Sequence, residues 1–377
     1  MARRKKSIVT LLCSVVVLSI TPVNAAESIS IPLDEQVLQQ DSASTKEKLD
    51  SILETSVTQA VYAAENNPYI EQYLIEQEAD PNENYLGNPE EEEKIALEAL
   101  NIIYKEDIKV GELLAKLTEN DEMIKKATSL NRDRIIEVLH IIVDNFFKVD
   151  ESEKDLLLGY MERYAVNVGD KASIELYHEN KKNYDSAKIS PFASYDRAAA
   201  GEWAYKNYNK YSTDYPAFTG GWGSDCTNFV SQAMHVGGGL PFKGDWYVYK
   251  KNSKYLVPTS AEELDYSWDL ADPSPFISVQ AFYDYWRSRS TVYAFSHDYY
   301  VSNHETIYYK HIYKGDVVVF SKGVSGVLTM PTHIMIVSAY DTNNEDFKLA
   351  GHSNERQAYP LLDAIEAYAQ VEFFCID

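Results

Sequence analysis

The chain has 377 residues, 45% of them hydrophobic, and carries a formal net charge of −23. That apolar fraction supplies a real core and excludes a disordered protein, while the length suits two domains. A chain this acidic is repelled by nucleic acid phosphates, which sets nucleic acid aside as a partner.

The chain opens with a basic run at Arg3 to Lys6, an apolar stretch from Ile8 to Ile20 and the small-residue string VNAA. Residues 1–26 are therefore expected to form a secretory signal peptide, cleaved after Ala25 or Ala26. The apolar stretch is shorter than the ~20 residues that span a bilayer, and no later segment is apolar enough to do so. The mature form is expected to be exported or wall-associated, with no membrane span. Loss of the leader removes four basic residues and no acidic ones, which moves the formal charge from −23 to −27.

Residues 27–190 predict an acidic helical domain. Around EKLDSILETSVTQAVY, EEEKIALEALNIIY, KVGELLAKL and RDRIIEVLHIIVDNFF, apolar residues recur at three and four, as in Ile135, Val138, Leu139 and Val143. The acidic run Glu90 to Glu93 favours a helix N-terminus. A polar stretch rich in Pro, Gly and Asn, residues 77–89, reads as a linker. His140 is expected as a satisfied histidine of the core rather than a ligand.

Composition changes near residue 190, since all five tryptophans lie beyond it. Residues 191–377 predict a second domain. Helices are expected over YDRAAAGEWAYKNYNK, from Cys226 to the glycines 237–239, and over SVQAFYDYWRSRS with Ser278 as its cap. Strands follow at GDVVVF, HIMIVSAY, DFKLAGHS and VEFFCI. Helices first and a run of strands afterwards argue for an α+β domain with an antiparallel sheet.

Only Cys226 and Cys375 outlast the leader, so this is no disulfide framework. A Cys226–Cys375 bridge would silence Cys226, and packing is the default role of Cys375 in its apolar strand. Cys226 stands where a turn gives way to a helix, with Asp225 or Ser224 as the cap. There the N-terminal amides favour the thiolate that does nucleophilic work, and they can hold an oxyanion. His333, opening a strand after LTMP, is the expected base. It would share a face with Met335 and Val337. His352 closes the next strand and is the expected orienting partner, with Asn354 as second choice and Asp316 as a distant third. Ser231 and Gln232 are expected to pack or satisfy backbone groups.

No metal site is expected at His297, His304 and His311, because a spacing of seven alternates faces on a strand. No phosphate loop is expected either, since the glycines 237–239 follow a helix. No cofactor is required. Among the tryptophans, Trp222, Trp246 and Trp268 are expected to face a substrate groove.

The strings YDRAAAGEWAYKNYN, DCTNFVSQ, GGLP, YSW, YKGDVVVF, HIMIV and AGHSNER resemble the bacterial putative amidase domain family, a relative of the CHAP and NlpC-type papain-like cysteine hydrolases. The likeness covers roughly residues 193 to 375. It implies a papain-like core and, residue by residue, the triad Cys226, His333 and His352. It further implies cleavage of amide bonds, with peptidoglycan as the substrate of many relatives. The expected function is thus a secreted cysteine amidase or endopeptidase of the cell wall. The rivals are a secreted protease or deamidase acting on proteins or peptides, and an inactive wall-associated binding protein. Oligomeric state is left open.

Overall fold

The computed structural model describes residues 67–79, 86–185, 195–219 and 225–376. The leader, the first predicted helix, the expected boundary near residue 190, Ser224 and Trp222 lie outside the described residues. By its internal contacts the chain divides into Met1–Glu71 and Gln72–Asp377. Helix α1, Pro68–Ala79, crosses that division, and its last three residues fall where the linker was expected.

Among the described residues, six helices lie ahead of residue 186. After α1 come α2 (Pro89–Thr118), α3 (Glu122–Ala127), α4 (Arg132–Asn145), α5 (Glu151–Val168) and α6 (Lys171–Asp185). The two helical segments expected between residues 91 and 117 are one 30-residue helix, because no proline lies between them. Its buried row Ala96, Leu100, Ile103, Val110 and Leu114 keeps the helical period. Gly111 sits inside it for a packing reason: a Cβ there would lie 2.5 Å from the Ile124 Cα of α3. Asp107 falls in the same buried row and is matched by Arg163 Nη2 at 2.7 Å and by the Tyr164 hydroxyl at 2.5 Å. Caps follow local chemistry. The Asn131 side chain accepts the amides of Asp133 and Arg134, and Asp150 with Glu153 forms a capping box.

His140 corrects the reading of α4. Ile135, Val138, Leu139 and Ile142 bury that helix, but His140 is exposed and bonds Asp170 Oδ1 at 3.0 Å. It is satisfied at the surface, not in the core, because it projects beside the apolar stripe rather than within it.

The later elements are α7 (Arg197–Asn207), α8 (Asp225–Gln232) with a π-helical turn Ala233–Gly237, β1 (Tyr249–Lys250), α9 (Ala261–Ser267), β2 (Trp268–Asp269) and α10 (Val279–Arg287). Then come β3 (Thr291–Ser296), α11 (His297–Tyr308), β4 (Val317–Val324), β5 (Leu328–Asp341), β6 (Asp346–Gly351), β7 (Arg356–Pro360), α12 (Leu361–Ala364) and β8 (Gln370–Cys375). Ser278 caps α10 as expected, its side chain accepting the Ala281 amide.

Strands β3 to β8 form one antiparallel sheet in the order β3-β8-β4-β5-β6-β7, which makes the domain α+β. The edge strands β3 and β7 were not foreseen. Their residues are half-buried or exposed, so no continuous apolar run announces them. Alternation along the central strands builds two cores. Val317, Val319, Ile334, Ile336 and Ala350 pack against Cys226, Phe229 and Val230 of α8, with Phe282 and Trp286 of α10. On the other face, Val318, Phe320, Met335, Val337 and Leu349 pack against Tyr300 and Ile307 of α11 and against α12.

Two readings change here. The segment carrying His297 and His304 is a helix, not a strand, so a spacing of seven returns to one face. His304 nevertheless bonds the Glu345 carbonyl and His311 the Tyr313 hydroxyl, and no metal-ligand cluster occurs among the described residues. Cys226 and Cys375 are not joined in a disulfide, and one lies in each core.

Candidate active site

Helix α8 is buried along all eight residues. Its close seat depends on two glycines after it: a Cβ on Gly237 would lie 2.5 Å from Trp203, and one on Gly238 would lie 2.3 Å from Tyr195. Tyr195 in turn donates its hydroxyl to the Gly315 carbonyl at 2.7 Å, tying the segment before α7 to the start of β4.

Cys226 lies in the first turn of α8 and is fully buried, its Sγ 3.8 Å from Thr227 Oγ1. Beside it, Asp225 does not act as a helix cap. One carboxylate oxygen accepts the Phe218 amide at 3.1 Å and Asn228 Nδ2 at 2.8 Å, and the other accepts from His352 Nδ1. Asn228 also donates to the Pro216 carbonyl at 2.7 Å, which fixes the loop ahead of the helix. His352 stacks on Phe229 with ring centroids 4.1 Å apart and meets Tyr211 at 4.5 Å. With Nδ1–H donated to a carboxylate, its Nε2 is left as an acceptor, and no described residue bonds it.

His333 lies within β5, immediately after Thr332, where the pairing with β4 is irregular, and opposite Phe320. It therefore takes the register of Met335 and Val337, the expected face. His352 is the imidazole that bonds Asp225 of α8. Burial pushes the His333 pKa down to about 3, with the charge of Lys322 acting the same way, so the ring is neutral. Its Nε2 also has no bond to a described residue.

A third group of residues was missed from sequence. Glu92, in the first turn of α2, brings Oε1 to 3.7 Å from His333 Nδ1, too far for a hydrogen bond. Glu92 instead accepts the Gly87 amide at 2.9 Å and the Tyr368 hydroxyl at 2.7 and 2.8 Å. Burial raises the Glu92 pKa against the opposing charge of Lys322, and Tyr368 is raised first by burial and then by Glu92. Glu91 is pushed up to about 7, by burial first and then by the charges of Asp225 and Glu92, while the charge of Lys94 opposes the shift. The acidic run had been legible only as a helix start. No local spacing marks which carboxylate will be buried against which strand.

The other expected site residues divide. Asn354 does not orient His333. Its Nδ2 donates to the carbonyls of Leu86 and Gly87, at 2.9 and 3.1 Å. Asp316 stands at the start of β4, away from His333, where it accepts the Tyr313 amide at 2.7 Å. Trp246 and Trp268 do not line a groove: both are fully enclosed, with indole N–H groups donated to Ser231 Oγ at 3.1 Å and the Tyr255 carbonyl at 2.9 Å. The reason is size. Large rings fill the space between α8, α10 and the loops more effectively than any other side chain. Ser231 and Gln232 are buried, as expected of packing residues. The cavity between α2, α5 and α10, lined by Arg163, Asp284 and Arg287, does not include Cys226 or either imidazole.

Residues 194–376 match the putative amidase domain. The matched span holds Asp225, Cys226, Lys322, His333, His352 and Tyr368, and it leaves out Gly87, Glu91 and Glu92. A putative amidase domain suggests hydrolase activity on amide bonds. No curated protein and no solved structure matches the chain.

Proposed function

We propose that the protein is an exported cysteine hydrolase of amide bonds in peptidoglycan, with a papain-like arrangement related to the CHAP and NlpC hydrolases. The observation that carries the reading is a thiol in the first turn of a helix, next to a carboxylate-held imidazole, with a second imidazole on the neighbouring strand. Cys226 is the nucleophile. Its sulfur bonds the amide carbon, the base takes the thiol proton, and the α8 amides stabilise the oxyanion. The same imidazole then protonates the leaving amine. Water adds to the resulting thioester with the imidazole as base, releasing the carboxylic acid and restoring the thiol. The products are one amine and one acid for each water consumed. No step requires a metal or an organic cofactor.

His333 is assigned as the base and His352 as its orienting partner. One observation favours the exchanged assignment, with His352 as the base: it donates Nδ1–H to Asp225, the residue before Cys226, leaving Nε2 to accept a proton. The pH profiles of kcat/KM for His333→Ala and His352→Ala separate the two, because only loss of the base removes the limb that reports imidazole ionisation.

The function is tested by mass spectrometry of purified cell wall after digestion. Wild-type protein is expected to release fragments with new amino and carboxyl ends, and Cys226→Ala none. Equal release by both proteins would overturn the reading. Digestion of a peptide library in parallel tests the protease alternative.

A further inference from the structure

The three proposed catalytic side chains are sealed from solvent, with Cys226 0%, His333 1% and His352 2% exposed. A site that handles a polymer cannot work in that state. Over His333 the seal includes the segment 86–92, which lies outside the amidase match. Asn354, two residues past His352, holds the Leu86 and Gly87 carbonyls. Gly87 runs so close over His333 that a Cβ there would lie 3.0 Å from Nδ1 and 2.8 Å from Glu92 Oε1. Glu91 feels the charge of Asp225. Glu92 enters deepest, meeting the Tyr368 hydroxyl with both oxygens.

The place Glu92 occupies is built for an anion by residues of the amidase domain. Tyr368 is buried, and Lys322, itself only 5% exposed, has its Nζ 5.7 Å from the centre of the Tyr368 ring. A buried hydroxyl donor is costly without an acceptor. Glu92 supplies it from another part of the chain.

We infer that Lys322 and the Tyr368 hydroxyl form a carboxylate subsite beside His333, and that Glu92 fills it, so that the segment 86–92 is an internal inhibitor of the hydrolase. The inference rests on the proposed hydrolase reading, and it assigns the substrate a carboxylate near the scissile amide. Glu92 holds the place that this carboxylate takes once the segment swings away. The intact chain is then a latent form whose turnover reflects the fraction of molecules with the segment displaced.

The test is the alkylation rate of Cys226 by iodoacetamide in the full chain, mapped by peptide mass and compared at the pH plateau, where thiol ionisation is complete. Cys375, in the other core, reports any general loosening. Glu92→Ala and, separately, Asn354→Ala are each expected to speed alkylation of Cys226 by about tenfold or more, with Cys375 unchanged, because the rate follows the open population. In Glu92→Ala, added glutarate is expected to restore protection and glutaramide is not, and Lys322→Met in that background abolishes the glutarate effect. Wild-type alkylation rates at Cys226 in both single variants would overturn the inhibitor. Equal protection by glutarate and glutaramide would overturn the subsite. Neither readout needs turnover, so a fast-alkylating Glu92→Ala protein that cleaves no amide would refute the hydrolase reading and leave only a displaceable cover over Cys226 standing.

Discussion

Cys226 and Cys375 are both buried, both outside any disulfide, and set in the cores on opposite sides of the same sheet. Their surroundings differ in kind. Cys226 begins a helix next to a buried carboxylate–imidazole pair, whereas Cys375 ends a strand and donates its thiol to the His311 carbonyl at 3.5 Å, with Asp316 as a further neighbour. Burial alone therefore says nothing about what a cysteine does. The groups that can move a proton decide it.

The widest separation between the two is expected in turnover. Cys226→Ala should lower kcat/KM on cell-wall substrate by at least about 1,000-fold. Cys375→Ala should leave kcat/KM within a few-fold and instead cost about 1–2 kcal/mol in urea unfolding, the usual result of trimming a packed core. If Cys375→Ala abolished turnover while folding normally, the contrast would be wrong.

A smaller effect separates the two polar environments. Asp225→Asn leaves His352 buried without its carboxylate and should cost about 3 kcal/mol of folding stability. It should also lower kcat, which links α8 to β6 through a readout beyond packing. An Asp225→Asn protein as stable and as active as wild type would remove that pair from the site.

The pH dependence should run in opposite directions on the two sides. Burial holds His333 near a pKa of about 3, below the 6.5 of an ordinary histidine. The unfolded chain therefore takes up a proton that the folded chain refuses, and stability falls as the pH drops below 6.5 towards 3. Asp316 is raised by burial from 3.8 to about 6, so the folded chain keeps a proton the unfolded chain has lost. Its contribution is complete below pH 3.8 and disappears as the pH rises through 6. Urea midpoints across this range should show the acid slope flattened in His333→Gln and the slope of opposite sign removed in Asp316→Asn.

The smallest effects test the corrected positions. Trp246→Phe, which deletes the N–H donated to Ser231 and a little volume, should cost about 1–2 kcal/mol without weakening substrate binding. A groove tryptophan would instead raise KM. His140→Ala, at an exposed position, should change the unfolding midpoint by no more than about 0.5 kcal/mol.

The sequence by itself determined the local pieces. Helix periods, the Ser278 cap, the four central strands and a cysteine at a helix start all follow from interactions within a few residues, and these act wherever the segment lies. It also marked both imidazoles, since His333 sits in an apolar strand and His352 directly follows one, and the alternation of both strands can be read directly. Only the tertiary structure decided what those pieces meet. The side of the sheet taken by α8 set His352 rather than His333 beside Asp225. The enclosure of Trp246 and Trp268 depends on how α8, α10 and the intervening loops close together. The seat of Glu92 against Tyr368 joins a helix start to a turn far along the chain. Such contacts depend on which surfaces of distant elements face one another, and no spacing along a single segment encodes that.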